Sequence, residues 1–171
     1  MKNLIYSCLL SAVGVLLASH ADARSSELTG VWTLVAADVI HPDGSRTHDY
    51  GDNPKGLLLI AEDGHYSLQI YNADRPKFAS GDKFKGTAAE YSAAVLGASN
   101  HFGTISVDPS AHTFTLSIES SSYPNQEGTQ QKRAYMLKDA ELSYRVPARP
   151  DGTVPLSIWR RLRSGVSPTC P

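Results

Sequence analysis

Cysteine is scarce. The 171 residues hold two, Cys8 and Cys170. Charge of one sign is also missing: sixteen Lys and Arg face seventeen Asp and Glu, for a net charge of -1. Such a balance provides no basic face to displace counterions from phosphates, which argues against nucleic acid as a partner. Long apolar runs are absent after the N-terminus. The one candidate, Leu4 to Leu17, is shorter than the roughly 20 residues of a comfortable membrane span. With Lys2 before it and Ala21-Asp22-Ala23 after it, the run reads as a secretory signal peptide over residues 1–23. Its removal leaves one domain, residues 24–171, with no integral membrane segment and an expected periplasmic or secreted location. Cys8 leaves with the signal, so Cys170 has no internal disulfide partner and zinc held through cysteines is excluded. The oligomeric state is not legible.

Several chemical signatures are lacking as well. There is no His-Glu-x-x-His, no calcium loop, no phosphate-binding glycine loop, no dinucleotide glycine motif and no Gly-x-Ser-x-Gly elbow. His41, His48, Asp49 and Asp52 cluster around the first turn, but without the spacing that converges ligands on a metal. No metal and no cofactor is therefore expected.

What remains is a chain 41% hydrophobic, too apolar for disorder and punctuated by turns. Leu28 to Ile40 is rich in Val, Leu, Thr and Trp and ends at Pro42-Asp43-Gly44. Glu62-Asp63-Gly64 separates Gly56–Ala61 from the alternating His65–Tyr71, a strong hairpin signal. Asn72 to Gly86 reads as a long loop. Thr87-Ala88-Ala89-Glu90 has the spacing of a capping box and opens one helix, about Thr87 to Leu96. Strand patterns return at His101–Val107, Thr113–Ser120, Gln131–Leu137, Glu141–Val146 and Pro155–Leu162. Short, regularly spaced strands without a βαβ rhythm imply an all-β antiparallel up-and-down barrel of eight or nine strands with one short helix. Closing such a barrel pairs the first strand with the last. This brings Gly30 and Trp32 toward Trp159-Arg160-Arg161, and we expect an indole–guanidinium contact built on Trp32 and Arg160.

The motifs in order resemble the bacterial and fungal lipocalin-like domain family. They are Leu28–Leu34, Pro42-Asp43-Gly44, Gly51–Leu58, Asp63–Ile70, Asp74–Phe78, Phe102-Gly103-Thr104, Tyr123-Pro124-Asn125 and Gly128–Arg133. The family is similar to lipocalins, so the resemblance implies an eight-stranded barrel with a cavity for a small apolar ligand. Where the family carries a histidine on the strand before the Pro-Asn loop, this chain has Leu116.

A cavity for a small lipophilic or aromatic molecule needs apolar walls and a few placed polar groups, and tyrosine supplies both. Tyr71, Tyr123 and Tyr135 are candidates among the chain's eight tyrosines. Gln69, Glu119 and Arg133 sit on mixed phases of their strands. If those phases face inward, Glu119 and Arg133 form a buried pair able to orient a ligand carbonyl or carboxylate. Arg75 lies on the loop that would form a lid. The leading expectation is a binding module holding its ligand in a hollow barrel. The alternative is an isomerase or cyclase of the same shape, with a tyrosine, Glu119 or Arg133 as acid, base or oxyanion partner.

Overall fold

The computed structural model describes residues 26–162. The expected signal segment and Cys170 lie outside them. Nine strands follow in chain order: β1 (Gly30–Ile40), β2 (Arg46–Thr47), β3 (Lys55–Ile60), β4 (His65–Tyr71), β5 (Ala98–Asp108), β6 (Thr113–Ser121), β7 (Gln130–Lys138), β8 (Glu141–Arg145) and β9 (Val154–Arg161). Every neighbouring pair is antiparallel. The order β1-β3-β4-β5-β6-β7-β8-β9 returns to β1, so eight strands close a barrel and β2 is an extra strand on β1. β1 is the shared seam. Its first residues, Gly30 to Thr33, pair with β3, and Trp32 to Ile40 pair with β9.

The apolar phase of most strands faces inward. Tyr66, Leu68 and Ile70 of β4 and Phe114, Leu116 and Ile118 of β6 are all buried. Two irregularities shift the phase. Between Leu34 and Ala36 the β1–β9 register slips, so the buried residues change from Trp32 and Leu34 to Ala37 and Val39; a bulge of this kind bends a strand around a barrel. The second slip lies between Phe102 and Gly103, opposite β6. There a side chain on Gly103 would place its Cβ 2.1 Å from the Ser117 carbonyl oxygen, so only glycine lets β5 and β6 approach.

The helix α1 (Ala88–Leu96) joins β4 to β5. Its capping box is complete: Thr87 Oγ1 accepts from the Glu90 amide at 3.2 Å, and Glu90 accepts from the Thr87 amide at 2.6 Å. The other Glu90 oxygen accepts from the Ala79 amide at 2.7 Å, tying the preceding loop to the helix start. No described helix is long and apolar enough to cross a membrane.

The end of the barrel where β1 begins is sealed. Leu28, Trp32, Leu142 and Trp159 are wholly buried there, and the Trp32 indole N–H donates to the Leu28 carbonyl at 2.9 Å. The guanidinium over the Trp32 ring is that of Arg161, 4.0 Å from its centre, and not that of Arg160. Side chains alternate faces along a strand. Trp159 points in, Arg160 is exposed opposite Thr33, and Arg161 returns to the Trp32 side of the seam. Arg161 also donates to the backbone carbonyls of Thr29 and Glu27. Gly30, at φ +133°, leaves the space: a Cβ there would lie 3.1 Å from the Arg161 guanidinium.

Candidate functional site

The barrel interior is divided. Its sealed half is packed by Leu28, Leu58, Ile60, Leu68, Phe114, Leu116 and Leu142, around a gap of only about 10 Å³, less than a single water comfortably occupies. The expected hollow middle is thus filled at this depth. At the other end a cavity of about 450 Å³ occupies the mouth, while a groove of about 490 Å³ runs outside the seal between Ser26–Thr29 and the β3–β4 turn. Both volumes fall within the range of small-molecule sites.

The mouth cavity is built from strand ends. β1 contributes Ala37 and Val39, β4 contributes Ile70, and β9 contributes Leu156 and Ser157. Ser99 of β5 lies beside Ile70, its strand partner, and Tyr50 comes from the loop before β3. Burial pushes the Tyr50 phenol up, and a hydrogen bond with Ser99 partly offsets it. Val95 and Leu96, in the last turn of α1, border the opening. They remain 63% and 77% exposed, an apolar edge with nothing packed over it. Asp49 and Arg149 pair at 3.1 Å on the rim.

Several polar side chains are buried among the packed interior residues and do not border the mouth cavity. Tyr66 and His101 share a hydrogen bond of 2.8 Å from hydroxyl to Nδ1, with their rings edge to face. Burial, assisted by the Arg133 charge, lowers His101 from 6.5 to about 4, so the ring is neutral at pH 7. Burial raises the phenols of Tyr66 and Tyr144. Arg133 is buried, 7% exposed. Its guanidinium donates to the Lys132 carbonyl at 3.1 Å and to Gln131 Oε1.

The residues singled out from sequence separate into three groups. Gln69 and Tyr71 lie on the outer face of β4, because the phase holding Leu68 and Ile70 takes the interior. Arg75 is outside as well; its guanidinium lies 4.5 Å from the Tyr71 ring centre and donates to the Asn72 carbonyl at 2.9 Å. Glu119 is exposed beside the β5–β6 irregularity and makes no ion pair with Arg133, so the expected buried pair does not form. Arg133 and Tyr135 do face inward, since on β7 the mixed phase of Gln131, Arg133, Tyr135 and Leu137 is the inner one. Tyr135 sits toward the sealed half, where its hydroxyl donates to the Glu27 carboxylate. Burial, with that partner, raises its phenol. Tyr123 borders the mouth cavity. Sequence reasoning missed Ser99, His101, Val95 and Leu96. The two apolar residues had a readable signal, since they end a helix flanked by Gly97 with no buried face. Near the first turn, Asp38 is buried and holds His48 at 2.8 Å and Arg46 at 3.5 Å. Among the described residues no group of three or more His, Cys, Asp or Glu could hold a metal ion.

A closed eight-stranded antiparallel barrel with a packed end, an open mouth and a short helix at its rim defines a lipocalin-like protein. The chain belongs to the lipocalin-like domain family, whose model matches residues 29–162. No curated protein matches the chain. Among solved structures it is similar to an uncharacterized protein from Bacteroides eggerthii DSM 20697, at 14% identity and a TM-score of 0.37, over 78% of this chain and 98% of that one. It is also similar to a mutant of the fluorescent protein UnaG, at 15% identity and a TM-score of 0.36, over 78% of this chain and 95% of that one.

Proposed function

We propose that the protein binds a small lipophilic or aromatic molecule in the mouth of its barrel. The observation that carries this reading is the cavity of about 450 Å³ bordered by Ala37, Val39, Ile70 and Leu156 and by the uncovered Val95 and Leu96 of α1. A ligand entering there removes its own apolar surface and that helix edge from water at once, worth roughly 25 cal/mol per Å² before the costs of association. Ser99, Ser157, Tyr50 and the buried Asp38 are among the polar groups on its lining that orient the ligand. The family membership supports the same reading, because the fold is a container with one open end. The N-terminal signature supports action outside the cytoplasm, and N-terminal sequencing of the exported protein is expected to find residue 24 first.

The neutral dye Nile red tests the site. The wild type is expected to enhance its fluorescence saturably. Ser99→Trp fills the mouth and is expected to abolish the enhancement while cooperative melting persists. Equal enhancement by both proteins would place the dye elsewhere and remove this reading.

A further inference from the structure

Charge is spread unevenly over the outside of the barrel. The outward positions of β7, β8 and β9 carry Lys132, Lys138, Glu141, Arg145 and Arg160, all exposed. Across β3 to β6 the outward face is different. Antiparallel register sets two cross-strand rows there, at the positions that alternate with the buried Leu58, Leu68 and Ile70. One row runs Leu59, Ser67, Phe102, Ser120, and the other Leu57, Gln69, Asn100. Ser122 ends the second row. Its hydroxyl accepts from the Asn100 amide at 3.0 Å, and its own amide donates to the Asn100 carbonyl at 2.8 Å. No residue of either row carries a charge.

This face also holds a cleft of about 260 Å³, bordered by Ser67, Gln69, Tyr71, Asn100, Phe102 and Ser120. It lies where the β5–β6 register slips beside Gly103. It shares only Ser122 with the mouth cavity, so the two are separate places. Its volume falls just under the range of sites that enclose a whole drug-sized ligand, and suits one ring of a longer molecule.

The lining decides what kind of ring. The Gln69 and Asn100 amides and the Ser67 hydroxyl can each donate and accept. Asn100 Oδ1 is buried without a hydrogen-bond partner among the described residues, so that amide has no bond at its oxygen to give up. Phe102 stands half exposed at the wall. His101, which also borders the cleft, is uncharged at pH 7. Formal charges stand at the edges and are engaged: Arg75 lies over the Tyr71 ring, and Glu127 accepts from the Ser120 hydroxyl at 2.8 Å and the Ser121 amide at 3.1 Å. An ionic guest finds no counter-charge in such a lining, and a purely apolar one strands the amides. A neutral guest with hydroxyl groups around an apolar ring face satisfies both, since its hydroxyls pair with the amides while its C–H face covers the phenyl ring.

We infer that this outer cleft binds one ring of a neutral sugar chain, with Phe102 against the ring face and the Gln69 and Asn100 amides on its hydroxyls. The following units of the chain run along the uncharged rows toward Leu57 and Leu59. The site is independent of the mouth cavity and of whatever the mouth holds.

Saturation-transfer NMR tests this with cellotetraose, maltotetraose, mannotetraose and chitotetraose as neutral chains, and with tetragalacturonic acid and the chitosan tetramer as charged ones. At least one neutral chain is expected to bind with a Kd on the order of 1 mM or tighter, and the charged chains about tenfold more weakly or not at all. Phe102→Ala is expected to weaken binding by about tenfold, the scale of one lost aromatic contact. Ser67→Glu, which sets a charge on the lining, is expected to abolish it. Met136→Ala, at an exposed apolar position on the outside of β7, is expected to leave it unchanged. All three variants are expected to melt cooperatively and to enhance Nile red as the wild type does. No binding of any neutral chain by the folded wild type would overturn the inference. So would binding that Phe102→Ala and Ser67→Glu leave unmoved, or charged chains held as tightly as neutral ones. Competition between the sugar and Nile red would merge the cleft with the mouth and overturn the separate site. A wild type that sediments as a dimer, and as a monomer once Ser67→Glu is introduced, would assign the uncharged face to a second copy of the chain and overturn the sugar.

Discussion

His101 makes pH a variable of this fold. Burial first, and the Arg133 charge second, bring it from 6.5 to about 4, so between those values the unfolded chain binds a proton that the folded one refuses. Stability then rises with pH across that window. Its contribution is complete above about pH 6.5 and is withdrawn as pH falls toward 4, a loss on the order of 2–3 kcal/mol. His101→Gln keeps a partner for the Tyr66 hydroxyl and has no such proton. Urea midpoints measured from pH 4 to 7 are expected to fall less steeply toward acid in this variant than in the wild type. His48 works in the opposite sense, because the hydrogen bond to Asp38 and the Asp38 charge raise it. Its support is present below about pH 6.5 and fades as pH climbs through the raised value. The two histidines illustrate what a single residue can and cannot reveal. His48 stands near acidic residues in the sequence itself, whereas His101 acquires its character from β4 and β7, which no local pattern joins to it. Arg161 and Arg160 show the same limit: adjacent and chemically identical, they are divided only by the phase of β9 against β1.

Elements whose instructions are local were legible in full. The Asp63-Gly64 turn and the Thr87–Glu90 capping box depend on residues a few positions apart, and both form as their spacing requires. Thr87→Ala removes one of the reciprocal bonds and is expected to cost about 1 kcal/mol of helix stability. Because α1 buries no residue, the loss stays local. Hydrogen exchange is expected to quicken through residues 88–96 while the barrel strands keep their protection. Elements whose instructions lie across the sheet were not legible. The slips in β1 near Val35 and in β5 next to Gly103 reset which residues face inward, and both are defined only against a partner strand. Gln69, Tyr71 and Glu119 lie on the faces opposite Leu68, Ile70 and Ile118, whose burial takes the interior of β4 and β6. Arg133 survives as an interior residue because the inner phase of β7 is itself mixed.

Across the whole molecule the two ends differ in kind. The seal is made by an N-terminal clasp: Leu28 wholly buried, its carbonyl held by Trp32, and Arg161 reaching back to Thr29 and Glu27. Leu28→Ala leaves a void in the tightest part of the core and is expected to lower stability by about 2–5 kcal/mol in urea denaturation, with Nile red binding at the remote mouth preserved once the variant is folded. The seam itself has a temporal consequence. Trp32 finds its neighbour at Arg161, almost the full length of the domain away, so the ring of strands stays broken until the last of them has been synthesised. Until then β1 and β8 present raw hydrogen-bonding borders to any passing strand, and contacts this distant in sequence are slow to form. For a nascent copy of this protein, the hazardous interval is the one between the emergence of Tyr144 and the arrival of Trp159.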